Sequence, residues 1–312
     1  MFALRGIAVS LESFLLLYCV VSVLVETIWR PLKPLHVAQR SVATILFELR
    51  ILPLVVAMIV TFGLVVPSFQ LLEPPPIDEG MGTIALVLDG CALVLIASGF
   101  LRAIAAQIRT TRAVTRWLDG ARPLRLDADS TVIFQSRRGS PPLIVVGVRH
   151  PIVLVSESTV ALLTPDELRM ALKHELEHMK SRDNLKRLIL AFCPFPGMAR
   201  LESAWSQAAE LAADDAAVSN QRDALDLAAA LVKLSRLVPV RTPSVCGTGF
   251  VAGSISQRVA RLLDWDEASK ARRVRIRTWF VIPFAVAASL LVTIAHLRVL
   301  TLTHEVTEWL VR

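Results

Sequence analysis

The expected fold class is an α-helical multi-pass membrane protein of about four spans, with an α+β soluble domain inserted between the third and the fourth. Three observations carry that expectation. Of the 312 residues 54% are hydrophobic and the mean hydropathy is +0.56, too apolar for an ordinary soluble domain. Four separate stretches stay apolar for about 20 residues, the length that crosses a bilayer. Between residues 102 and 278 the pattern changes to amphipathic helical runs and short β-branched runs.

The first stretch, 7–28, has a dense core from Phe14 to Val25 that is followed by Glu26, Thr27, Ile28, Trp29 and Arg30 with no small-residue cleavage site, so an uncleaved span is expected, anchored by Trp29, Arg30 and Lys33. The second, 42–66, begins with Glu48 and Arg50 near one interface and contains Pro53, a mild kink. An acidic connection with three prolines, 74–76, reads as extended and solvent-facing. The third, 83–101, is interrupted by Asp89. The fourth, 279–297, follows the basic run Arg272, Arg273, Arg275, Arg277. Residues 1–101 thus form three N-terminal spans, 102–278 a soluble domain, and 279–312 the fourth span with a short tail. Glu12, Glu48 and Asp89 lie in or beside spans; they form a buried polar link, such as Asp89 with Arg50, or they protonate, snorkel or face neighbouring helices.

The loop after the first span is basic, the loop after the second acidic, and the soluble domain again carries more Lys and Arg than Asp and Glu. Basic loops stay on the cytoplasmic side. The expected location is the inner (cytoplasmic) membrane, with the soluble domain cytosolic and both termini extracytoplasmic. The same rule accounts for the net charge of +7 without nucleic acid as a partner. Cys19, Cys91, Cys193 and Cys246 have no paired spacing, which argues against a disulfide framework or a cysteine metal site.

Within the soluble domain, Arg102, Arg109, Arg112 and Arg116 are threaded among apolar residues up to Trp117, the pattern of a helix continuing from the third span along an anionic leaflet. The runs 143–148 and 151–155 are β-branched and joined by a short turn, hence a hairpin; 131–134 reads as a third strand. An edge strand here is a candidate for pairing with an extended substrate, or is simply structural.

Next comes Thr164 to Asp183, which contains His174-Glu175-Leu176-Glu177-His178, an H-E-x-x-H pattern. Thr164 with Glu167 makes a capping box, Pro165 occupies the first helical position, and Leu168, Ala171, Leu172 and Leu176 form an apolar face. The helical run is expected to last until Pro194-Phe-Pro-Gly197. Residues four apart share a helix face, so His174 and His178 can grip one zinc ion, with Glu175 placed to accept a proton from its water. This makes the domain zincin-like. A catalytic zinc takes three protein ligands and keeps one position open. The helix expected from Arg200 to Val218 supplies Glu210 as third ligand, and Asp214, four residues on, can hold a ligand histidine by its second nitrogen. The bland alternative is a pair of helices with solvated acidic faces. Further helices are expected at 222–237 and 255–263, the latter capped by Ser254 with Gln257. His150, His296 and His304 are weaker ligand candidates, and His150 and Arg258 are candidates to stabilise an oxyanion.

The ordered set G-V-R-H-P-I-V-L-V (147–155), L-T-P-D-E-L (163–168), H-E-L-E-H (174–178), R-D-N-L (182–185) and E-L-A-A-D (210–214) resembles the BlaR/MecR-type membrane zinc metallopeptidases, closely over about residues 130–265 and loosely over the four-span frame. The resemblance implies a zinc endopeptidase in which His174, His178 and Glu210 bind Zn2+, Glu175 is the general base, and Asp214 lies just outside the ligands. Asp183 matches a recurring family position. Where members often have Cys before the last Asp, this chain has Ala213. The implied partner is a protein or peptide substrate cleaved at the cytoplasmic membrane face, a repressor or the enzyme itself, with a separate sensor or repressor protein. After the fourth stretch the sequence runs only to Arg312 without a Ser-x-x-Lys, so β-lactam recognition by this chain is not expected. An HtpX-type quality-control protease and a non-catalytic zinc-binding scaffold are the competing expectations.

Overall fold

The computed structural model describes residues 2–29, 37–72, 82–124, 133–136, 140–193, 195, 197–237, 252–266, 301–303 and 305–306. The expected fourth span at 279–297 and the triple-proline connection lie outside them.

Three helices among the described residues are long and apolar enough to cross a membrane. Helix α1 covers Phe2–Ile28. Helix α2 covers Gln39–Val60 and carries Pro53 internally; a π-helical turn, Thr61–Val65, joins it to α3, Val66–Leu72. Helix α4, Thr83–Leu118, is unbroken for 36 residues, about 54 Å at 1.5 Å per residue. The sequence placed the last part of this helix along a lipid surface. Its Arg102, Arg109, Arg112 and Arg116 are exposed, while Val114, Trp117 and Leu118 pack on a β-sheet, because that sheet has an apolar face of its own to cover.

The sheet has four strands: β1 (Arg122–Leu124), β2 (Ile133–Ser136), β3 (Leu143–Val146) and β4 (Ile152–Ser156), in the order β1-β2-β4-β3. Strands β3 and β4 form the antiparallel hairpin expected, with Val145 opposite Val153. The third strand, expected at 131–134, is described over Ile133–Ser136 and runs parallel to β4 on its far side, leaving β3 at one edge of the sheet. Side chains alternate faces along a strand. Leu143, Val145, Val153 and Val155 pack toward the helices at Pro165–Lys180 and Gln221–Ser235, whereas Ile144, Val146 and Leu154 pack toward the end of α4. Burial on both faces explains why β3 is apolar at every position and β4 at every position before Ser156.

Helix α5 (Glu157–Leu162) leads into α6 (Pro165–Lys180). The capping box is present: Glu167 N donates to Thr164 Oγ1 at 3.3 Å and Thr164 N donates to Glu167 Oε2 at 2.8 Å. The helical run then breaks earlier than the prolines suggested. Arg182 adopts a left-handed φ of 54°, and α7 starts afresh at Asp183 and ends at Phe192. Helix α8 (Ala199–Ala217) lies against α2, with Trp205 and Ala208 packed among Val42, Ala43 and Phe47. Helices α9 (Gln221–Ser235) and α10 (Ala252–Leu263) complete the domain.

Candidate metal centre

Helix α6 presents His174 and His178 on one face, one turn apart, and α8 brings Glu210 against them. The Nε2 atoms of the two histidines are 3.1 Å apart; Glu210 Oε2 is 3.5 Å from His174 Nε2, and Glu210 Oε1 is 3.7 Å from His178 Nε2. Two nitrogen ligands about 2.0–2.1 Å from a tetrahedral ion sit roughly 3.3–3.4 Å from each other. The three donors therefore surround a point at metal-ligand range, and all three ligand atoms lie within 4.8 Å of one another. The donor set fits a divalent ion.

The far nitrogen of each ring faces a carboxylate, hydrogen-bonded in His178 and at contact distance without hydrogen-bond alignment in His174. His178 Nδ1 is 2.7 Å from Asp183 Oδ2 and His174 Nδ1 is 3.0 Å from Asp214 Oδ1. With the proton on Nδ1, each Nε2 lone pair is left for an ion. The left-handed Arg182 makes the first contact possible. It reverses the chain after α6 so that the first residue of α7, Asp183, reaches back to His178. Non-glycine residues rarely adopt this φ, and nothing in the sequence before Asp183 marks the break.

Glu175 is buried beside the ligands, and its Oε2 accepts from Val145 N of the edge strand at 3.1 Å. Asn184 Nδ2 donates to Val145 O and to Gly147 O, both at 3.1 Å. The outward amide and carbonyl of Val145 are thus occupied by α6 and α7, so an extended peptide adding to β3 here would displace both bonds. Asn184 was legible only as part of R-D-N-L, with no role attached.

Arg258, on α10, was a candidate for an oxyanion donor. Its guanidinium instead grips the acids: Nε to Asp214 Oδ2 at 2.8 Å, Nη2 to Asp214 Oδ1 at 2.6 Å and Nη1 to Glu210 Oε2 at 2.9 Å. Nη2 also lies 3.4 Å from His174 Nε2. His150 is exposed in the β3–β4 turn; His296 and His304 lie outside the described residues, as does the Ser254 side chain.

The charges follow from this packing. Burial pushes the Glu175 carboxyl up, and the neighbouring imidazoles only partly oppose it. Burial alone would lower His178, but the Glu210 carboxylate and the Asp183 hydrogen bond push it up to about 10. Burial would likewise raise Asp214 and Glu210. Arg258 brings Asp214 down to about 2, and His178 with His174 holds Glu210 well below the usual carboxylate range.

Apolar helices of spanning length, joined to a domain in which two helices converge three metal-type donors beside a buried glutamate, define the class as a membrane metallopeptidase. The chain belongs to the BlaR1 peptidase M56 family, whose model matches residues 84–262, more than half of its length. Membership indicates a peptidase and implies a metal ion. Among curated proteins no match is found.

Proposed function

We propose that the chain is a zinc-dependent endopeptidase that cleaves a protein at the cytoplasmic face of the membrane, in regulated proteolysis of a repressor or of itself. His174, His178 and Glu210 hold the ion. Asp183 and Asp214 fix the two imidazoles, and Arg258 keeps Glu210 and Asp214 ionised. Bound zinc polarises the scissile carbonyl and makes water acidic enough to react near neutral pH. Glu175 accepts the proton of the attacking water and returns it to the departing amine. Burial raises its pKa and so makes it a stronger base than an exposed glutamate.

The observation that carries this reading is the buried Glu175 carboxylate set next to three converging donors. A site that held an ion for structure alone would need no such base. In the test, full-length protein in detergent is expected to contain about one zinc per chain and to cleave a co-expressed substrate or itself. Glu175→Gln is expected to retain the zinc and lose cleavage. Cleavage undiminished in Glu175→Gln removes the mechanism, and absence of cleavage with zinc fully loaded points to the scaffold. Reporter fusions placing residues 102–278 outside would reverse the orientation.

A further inference from the structure

We propose that the cavity between α4, α2 and the turn from α7 to α8 is a binding site for one membrane lipid with an anionic phosphate headgroup. This rests on the spanning helices and not on the peptidase reading. Among the described residues the cavity is open-sided, and it holds about 750 Å³. Val87, Gly90, Val94 and Leu95 of α4 make its apolar wall, while Arg50 of α2, Glu202 of α8 and Arg102 supply the charged part.

Val87 and Arg102 are fifteen residues apart on one unbroken helix, about 22 Å at 1.5 Å per residue, so the wall runs from the interface at Arg102 well into the hydrocarbon core, which is about 30 Å thick. Arg102 is the first charged residue after the apolar stretch, where a headgroup would lie.

Arg50 supplies the chemical signal. It is 1% exposed. Its Nε and Nη2 donate to Glu202 Oε1 at 2.9 and 2.8 Å, and Nη2 also donates to the carbonyl of Cys193. Arg50 thus pairs with α8, not with Asp89 as the sequence allowed. Its Nη1 is buried and makes no hydrogen bond among the described residues, although the Tyr18 hydroxyl lies beside the guanidinium. A buried charged donor without an acceptor is costly. Arg102 is exposed and pairs with no carboxylate among the described residues. Two guanidinium charges against the single Glu202 carboxylate leave one positive charge, the complement of one phosphodiester. Free phosphate would meet that charge but leave the apolar wall uncovered, and the wall is what favours a lipid.

The test uses the full chain in vesicles of four parts phosphatidylcholine to one part phosphatidylglycerol, with retained lipids counted by native mass spectrometry after release. One phosphatidylglycerol per chain is expected, in preference to phosphatidylcholine. Arg102→Gln is expected to lower its retention about fivefold, the worth of one basic side chain at a lipid surface. A Cβ added at Gly90 meets nothing within 4 Å, so Gly90→Leu sets a larger side chain at the cavity wall and is expected to abolish retention while helix content by circular dichroism is unchanged. Equal retention of the two lipids, or retention in Gly90→Leu equal to that of the parent, overturns the proposal. In lipid-free micelles inorganic phosphate is expected to leave the melting temperature unchanged; a rise abolished by Arg102→Gln would make the site one for free anions and overturn it as well.

Discussion

Removing Arg258 tests whether the acids of the metal centre are held by a clamp from α10. The guanidinium and Asp214 side chains are each 2% exposed, and Glu210 is 11% exposed. An ion pair at a surface contributes about 0–1 kcal/mol. Breaking a buried pair by deleting one partner costs about 3–5 kcal/mol, because the other charge stays buried and uncompensated. The low end applies to Arg258→Ala, since Asp214 keeps its 3.0 Å contact with His174. A loss of about 3 kcal/mol corresponds to roughly 6–12 °C, at about 2–4 °C per kcal/mol for a domain of this size. Thermal unfolding of the purified chain followed by circular dichroism reads the shift. Arg258→Lys keeps the charge without the planar fork and is expected to lose about half as much. Combining Arg258→Ala with Asp214→Asn should give less than the sum of the single losses. A melting temperature within about 2 °C of the parent for Arg258→Ala, under 1 kcal/mol on the same scale, would refute the clamp.

Three further outcomes are expected. His178 is held up to about 10 in the folded chain against an ordinary 6.5, so its contribution is complete below about pH 6.5 and is lost as the pH rises through about 10. Asp183 and Glu210 are held low, so their contribution is present above about pH 4 and is lost on acidification. Protein stripped with a chelator should therefore melt highest between about pH 4.5 and 6.5 and progressively lower toward pH 10. Added zinc, which displaces the proton, should stabilise more as the pH rises; a flat melting profile above pH 6.5 would contradict this. Asp183→Asn should weaken metal binding about 10–100-fold in a competition titration. Gly147 has a φ of +98°, and a Cβ there would lie 2.7 Å from the His150 carbonyl oxygen, so Gly147→Ala should cost more than about 1 kcal/mol, read as faster amide exchange in β3.

What the sequence made legible was local. The four-residue spacing of His174 and His178, the Thr164 capping box and the β3–β4 hairpin are all decided within one turn of helix or one short loop. The span helices were legible for the same reason, since apolar length is a local property. What escaped depends on contacts between distant segments. Arg50 and Glu202 are 152 residues apart, and Arg258 is 44 residues from Asp214. No periodicity marks either pairing. The parallel placement of β2 beside β4 depends on the path of the intervening chain, and the break at Arg182 runs against the helical propensity on both sides of it.

Helix α8 joins these two levels. Near its start Glu202 is fastened to Arg50 of α2, and Leu201 and Trp205 are buried against the α1–α2 pair. About two and three turns further on, the same helix delivers Glu210 and Asp214 to the imidazoles. Eight residues of helix span about 12 Å, and the interior is packed too densely to absorb displacement by compression. A shift of α2 by one ångström would therefore be carried along α8 to Glu210, whose distances to the two Nε2 atoms, 3.5 and 3.7 Å, leave little slack. The third donor of the centre is thus set by a membrane helix, whereas the two histidines are set by the capped helix α6 and the sheet beneath it.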